Sequence, residues 1–145
     1  MVLALDNFKT TFREEACALL DHLEDDLLEL ESHSQNGDLI NAVFRAIYTV
    51  KESAAIFGFD PVSQFAQGME KVFELCRNGT LSITKEFVSL MLKGREQLRQ
   101  LMEFEKDVPP DIAMESERLL LRFDDFSRKG QADAFPSHVH SPHRE

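Results

Sequence analysis

Within the stretch Val43–Asp60, Tyr48 has Arg45 three residues before it, Lys51 three residues after and Glu52 four residues after. Those intervals put all four on adjoining turns of one helical flank, since residues three or four apart share a face. A phenol between two cations and a carboxylate is a charged, hydrogen-bonding surface. It is a poor nucleophile at neutral pH, because a phenol ionises only at about pH 10. Gln67 and Glu70 lie one helix later, and the plain reading of Tyr48 is a half-buried aromatic whose hydroxyl bonds one of them. Lys51 and Glu52 read equally well as solvated or mutually paired surface charges.

Other chemistry-bearing residues do not converge. His22 with Asp25 and Asp26 has one-face spacing, but it lacks the paired Glu-x-x-His of a di-iron bundle and reads as a solvated acidic face. His33 closes a helix, and His138, His140 and His143 lie in the final stretch. Cys17 and Cys76 fall inside helical patterns without metal-ligand spacing or a partnering histidine, as reduced thiols of a core do. There is no Gly-x-Ser-x-Gly elbow, His-Glu-x-x-His pair or phosphate-binding Gly-rich loop. The reading is a non-enzymatic domain with no catalytic residue, metal or cofactor.

Helices must position these groups. Ile40, Val43, Phe44, Ile47, Val50, Ala54 and Phe57 recur at three- and four-residue steps, which gives one buried helical stripe. Gly58 ends that helix in a left-handed cap, and Asp60-Pro61 reads as N-cap and first turn of the next. Before it, Leu5, Phe8, Phe12, Ala16, Leu19, Leu23, Leu27 and Leu30 define a long first helix, with Asp38 as the N-cap of the second. Thr84 caps a fourth helix whose apolar face includes Gly94, the mark of a close helix crossing. The pattern predicts helices over about 5–33, 38–57, 61–78, 84–106 and 111–127, followed by a flexible tail over 129–145. No strand-like alternation or internal repeat interrupts them. Short connections make this an all-α, up-down antiparallel four-helix bundle, with the fifth helix packed alongside and one domain over 1–128.

The chain has 145 residues, 43% hydrophobic and 29% charged, enough for one ordinary core. Its net charge of −10 opposes binding to phosphate backbones of nucleic acid and leaves a solvated acidic surface or a basic partner open. No apolar run reaches membrane-spanning length, and Met1–Leu5 lacks the basic start of a signal peptide, so a cytoplasmic location is expected.

The run Phe44-Arg45-Ala46-Ile47-Tyr48-Thr49-Val50-Lys51-Glu52-Ser53-Ala54-Ala55-Ile56-Phe57-Gly58-Phe59 resembles the phosphoacceptor helix of the histidine-phosphotransfer (HPt) domain of CheA-type chemotaxis kinases. That family reads Phe-Arg-Ala-Ala-His-Ser/Thr-Ile/Val-Lys-Gly-Gly/Ser-Ala-Gly-x-Phe-Gly-Phe, and its histidine carries the phosphoryl group. Asp6-Asn7-Phe8, Phe12-Arg13-Glu14-Glu15 and Leu39–Ala46 resemble its opening segments. Ala66-Gln67-Gly68-Met69-Glu70 resembles its Thr-His-x-Met/Leu-Glu segment, and Arg77-Asn78-Gly79 its Arg-x-Gly end. The resemblance covers roughly residues 6–128 and implies that Tyr48 stands at the acceptor position.

It also implies a changed chemistry. A histidine ring nitrogen is nucleophilic at neutral pH and forms a P–N bond that a receiver aspartate can take, whereas a phenol's phosphate ester lacks that transfer potential. Lys51 matches the family's lysine, and Glu70 the carboxylate that typically bonds the acceptor ring. Glu52 replaces a glycine, and Ala55 and Gln67 stand where Gly and His are usual. The expectation is a degenerate HPt domain in two-component signalling that binds a receiver or kinase domain through Arg45, Tyr48, Lys51, Glu52, Gln67 and Glu70 without carrying phosphate. A working phosphocarrier and a structural or self-associating bundle are the alternatives. Oligomeric state is not legible, and both a free-standing protein and the opening part of a kinase fit the sequence.

Overall fold

Apolar residues spaced three and four apart build five helices in the computed structural model, which describes the backbone of residues 2–144 and the side chains of residues 6–130. They are α1 (Val2–Ser32), α2 (Gly37–Phe57), α3 (Asp60–Arg77), α4 (Lys85–Leu101) and α5 (Pro110–Arg144). Helices α1 to α4 close into a ring in which α1 meets both α2 and α4, while α5 lies across α3 and α4. This is the all-helical bundle with an added fifth helix that the periodicity calls for. Directions follow from paired residues. Lys9 pairs with Glu105 just past α4, and Asp21 with Arg99, so α1 and α4 run antiparallel. Lys51 against Glu70 with Phe44 against Arg77 do the same for α2 and α3, and Gly94 against Phe123 with Gln97 against Ser116 for α4 and α5.

The core is a continuous cluster in which Leu20, Leu23, Leu27, Ile47, Phe59, Phe65, Met69, Phe73, Phe87 and Met91 are almost entirely out of solvent. Aromatic pairs knit its layers: Phe12 lies against Phe57 and Phe59, and Phe65 against Phe123. The first helix departs from its expected stripe. Phe8 is 58% exposed, and Leu20, fully buried, sits in the core beside a partly buried Leu19. The stripe drifts because 3.6 residues per turn over a long helix does not keep a fixed three-four alternation.

Helix ends correct several expectations. Asn36, not Asp38, caps α2: its side chain accepts a hydrogen bond from Leu39 N at 3.1 Å, while Asp38 sits in the first turn and favours the positive end of the helix. Asp60 is likewise inside the first turn of α3, behind Phe59, because Phe59 is drawn fully into the core and its chain direction sets where the helix begins. Thr84 caps α4 as expected, accepting from Phe87 N at 3.1 Å. Helix α4 ends at Leu101 rather than near Lys106, with Met102 buried immediately after it. Helix α5 continues beyond Ser127, and within it Gly130 is buried where a Cβ would stand 2.5 Å from Leu81 Cδ1, a contact that periodicity does not reveal. From residue 131 onward the expected tail lies outside the described side chains.

Gly58 has φ 81°, a left-handed conformation that costs glycine little, and its N–H meets the carbonyls of Ala54 and Ala55. The turn to α3 is therefore short and fixed. Gly94 is the close crossing: a Cβ there would stand 3.0 Å from Met69 Sδ and 3.1 Å from Phe123 Cζ. Polar ties lie beside it. Gln97 donates to the Ile112 carbonyl at 2.8 Å and to Ser116 Oγ at 2.9 Å, and buried Arg95 donates to the Leu20 carbonyl at 3.2 Å. Gly94→Val should therefore lower stability by about 1–3 kcal/mol through overpacking. A urea unfolding midpoint equal to the parent's would show that α4 is not pressed against Met69 and Phe123.

Candidate functional site

Helix α2 buries Val43, Ile47, Val50 and Ala54, which leaves Arg45, Tyr48 and Glu52 on its outer side. Helix α3 buries Val62, Phe65, Ala66, Met69, Val72, Phe73 and Cys76, leaving Gln67 exposed and Glu70 half-buried beside α2. Tyr48 is 44% exposed. The two helices thus bring five of the six expected residues, Arg45, Tyr48, Lys51, Glu52 and Glu70, to one surface, with Gln67 on the outer face of α3.

The centre of that surface is an ion pair rather than a phenol hydrogen bond. Lys51 Nζ donates to Glu70 Oε1 at 2.8 Å and lies 3.6 Å from Glu52 Oε2. The same ammonium stands 4.8 Å from the centre of the Tyr48 ring, within cation–π range. Ser63 Oγ donates to the Lys51 carbonyl at 3.1 Å, a further tie between the two helices. The hydrogen bond to Glu70, aided by the charges of Glu70 and Glu52 and opposed by burial, raises the Lys51 pKa above its ordinary 10.5.

The expected bond from the Tyr48 hydroxyl to Glu70 or Gln67 does not form, and Glu70 takes Lys51 instead. A charge-assisted bond from an ammonium is stronger than one from a neutral phenol, and Lys51 lies nearer to α3. Tyr48 contributes its ring face to the cation, and its hydroxyl has no hydrogen-bond partner among the described residues.

Two residues that the sequence pattern placed elsewhere, Phe44 in the buried stripe and Arg77 at the end of α3, complete the surface. Arg77, in the last turn of α3, stacks over Phe44 with its guanidinium carbon 4.2 Å from the ring centre. The antiparallel register supplies the signal: if Lys51 faces Glu70, then Phe44, two turns earlier on α2, faces Arg77, two turns later on α3. Asn41, Phe44, Arg45, Tyr48 and Arg77 together line a cleft of about 150 Å³.

The other chemistry-bearing residues stay apart from this surface. Asp26 has its pKa raised, chiefly by burial and then by Glu29, with His22 opposing and Asp25 adding to it. Burial pushes the Cys76 thiol up to about 12, so it stays protonated at neutral pH. Among the described residues no three His, Cys, Asp or Glu side chains gather in a metal-binding group, and no helix is long and apolar enough to cross a membrane. His138, His140 and His143 lie outside the described side chains.

Residues 7–103 match the Hpt domain family. The chain is 32% identical over 108 residues to the chemotaxis protein CheA of Borreliella burgdorferi, an alignment spanning 73% of this chain and 12% of that protein. It is 30% identical over 114 residues to CheA of Salmonella typhimurium, spanning 78% of this chain and 17% of that one. The chain thus spans less than a fifth of the length of these curated relatives. Its fold is shared with the phosphorylated P1 domain of CheA3, solved in complex with CheY6 from R. sphaeroides. The TM-score is 0.70 at 22% identity, and the match covers 85% of this chain and 98% of that one.

Replacing Glu70 by Gln should bring the Lys51 pKa back down toward 10.5, read by NMR titration of the Lys51 Cε–H signals. A raised lysine pKa contributes stability that is fully present below 10.5 and lost as pH rises through the higher folded value. The stability gap between parent and variant should accordingly be about 1 kcal/mol from neutrality up to pH 10.5 and shrink as pH rises beyond it. An unchanged Lys51 titration would remove Glu70 as its partner.

Proposed function

The chain belongs to the Hpt domain family, and from that premise we propose that it is a CheA-type phosphotransfer domain whose acceptor position is occupied by Tyr48 and which docks a signalling partner without carrying phosphate. The observation that carries this reading is the arrangement at α2 and α3: a solvent-facing phenol on a ring-stacked lysine, with that lysine held by Glu70.

Each part of the arrangement disfavours a relay. A phenol of pKa about 10 is protonated at neutral pH, and its phosphate ester is too stable to pass to an aspartate. Lys51, the cation placed to offset phosphoryl charge, is already engaged by two carboxylates. Glu52 is exposed one turn from Tyr48 and adds negative charge where a phosphoryl group would arrive.

What remains is a surface. Arg45, Tyr48, Lys51, Glu52 and Glu70 offer it to a receiver or histidine-kinase domain, with Gln67 on the neighbouring outer face of α3 and a receiver favoured. The CheA relatives support a role in chemotaxis or related two-component signalling, and the relative solved with CheY6 supports a receiver partner. The proposed setting is the cytoplasm. Such a domain holds its partner away from competing phosphodonors or gathers it at a scaffold, and the catalysis of any phosphoryl transfer stays with the kinase.

Incubation with an active CheA-type kinase and labelled ATP tests the proposal. The parent chain should take up no acid-labile label, Tyr48→His should restore some, and Tyr48→His with Glu52→Gly should restore more. Acid-labile label on the parent, returned to a receiver aspartate, would establish a working carrier in place of a degenerate one. In the same preparation, calorimetric titration with receiver domains encoded in the same genome should give saturable binding to at least one, and binding to none would reject the docking role.

A further inference from the structure

On a chain of net charge −10, the cleft lined by Asn41, Phe44, Arg45, Tyr48 and Arg77 concentrates two guanidinium groups. Its donors are largely uncommitted. Arg45 is exposed and, among the described residues, has no ion-pair partner. The Asn41 carboxamide and the Tyr48 hydroxyl likewise have no hydrogen-bond partner among those residues. Arg77 holds its guanidinium carbon 4.2 Å from the Phe44 ring centre and its Nε 3.5 Å from Glu74 Oε1, and its two terminal nitrogens have no hydrogen-bond or ion-pair partner among the described residues. Asn41, Arg45 and Tyr48 share one side of α2, and Arg77 faces them from the end of α3.

We propose that this cleft is an oxyanion-binding site, taking one carboxylate or phosphate group between Arg45 and Arg77, with the Tyr48 hydroxyl and the Asn41 amide as neutral donors. Planar guanidinium groups recognise both oxyanions through paired N–H bonds, and an arginine fixed on an aromatic ring loses little freedom on binding. A volume of about 150 Å³ suits one such group and falls below the roughly 300–1,000 Å³ of sites for whole small molecules. Because Lys51 is engaged by Glu70 and Glu52, the arginines are the cations left for an incoming anion at the Tyr48 face. The inference deepens the docking reading by naming the group recognised: an acidic side chain of the docked protein, or free phosphate.

NMR titration of the full chain with inorganic phosphate, ionic strength held constant with sodium chloride, reads the site directly. Saturable shifts are expected at the Asn41 side-chain amide, at Tyr48 and at the Arg45 and Arg77 Nε–H signals. Arg45→Gln should weaken binding about tenfold or more, Arg45→Lys should recover part of it, and Arg118→Gln, remote from the cleft, should leave it unchanged. Arg45 is the residue to alter because it is exposed, whereas Arg77 also covers Phe44. No saturable shift, or the same affinity in Arg45→Gln, overturns the proposal.

Titration with a CheY-type receiver domain separates the two sources. Receiver binding weakened about tenfold by Arg45→Gln assigns the cleft to a partner carboxylate. Receiver binding unchanged while phosphate binding is lost assigns it to free phosphate. Phosphate binding without any receiver binding removes the docking reading and keeps the cleft, and receiver binding without phosphate binding at Arg45 does the reverse.

Discussion

The register of α2 against α3 is the constraint on which the Tyr48 surface depends. Gly58, in its left-handed conformation, turns the chain so sharply that α3 begins at Asp60. From that point each residue of α2 has a determined neighbour on α3: Lys51 meets Glu70, and Phe44 meets Arg77. The hydrophobic contribution sets the register. Each fully buried Val, Ile or Phe of the two helices is worth about 1.5–3 kcal/mol, whereas a hydrogen bond to a charged group contributes about 1.5–3 kcal/mol and an exposed cation–π contact about 0.5–1 kcal/mol. With many apolar anchors against one ion pair and one or two ring contacts, the polar groups take the positions that packing assigns to them.

Packing also supports the surface from behind. Behind α2 and α3 stand α1, α4 and α5, pressed close at Gly94 and tied by Gln97 and Arg95. Most polar atoms that enter this interior find partners. Arg95 Nε is the one buried side-chain nitrogen or oxygen without a partner among the described residues, and its guanidinium is otherwise committed to the Leu20 carbonyl and to longer contacts with Glu24 and Glu96.

The chemical character of the surface follows from competition for Lys51. A bare ammonium beside Tyr48 would be free to pair with an incoming anion. Glu70 at 2.8 Å and Glu52 at 3.6 Å occupy it instead, and the Tyr48 ring caps it from the side. Positive charge not committed to a carboxylate on α2 is thereby left at Arg45, away from the lysine and one turn before Tyr48.

Much of this was legible in the residues themselves. Apolar spacing determined five helices, Thr84 and Gly58 two of their boundaries, and Gly94 the close crossing, because each depends on local periodicity or on one residue's own conformational range. The grouping of Arg45, Tyr48, Lys51 and Glu52 was equally local, since helical spacing alone places them on one flank. Tertiary structure decided what spacing cannot: that Glu70 pairs with Lys51 and not with Tyr48, that Arg77 lies on Phe44, that Phe8 faces solvent while Leu20 fills the core, and that Gly130 of α5 lies against Leu81. Those outcomes hang on distances between separate helices, which are set when the apolar faces interlock and no single stretch of chain encodes alone.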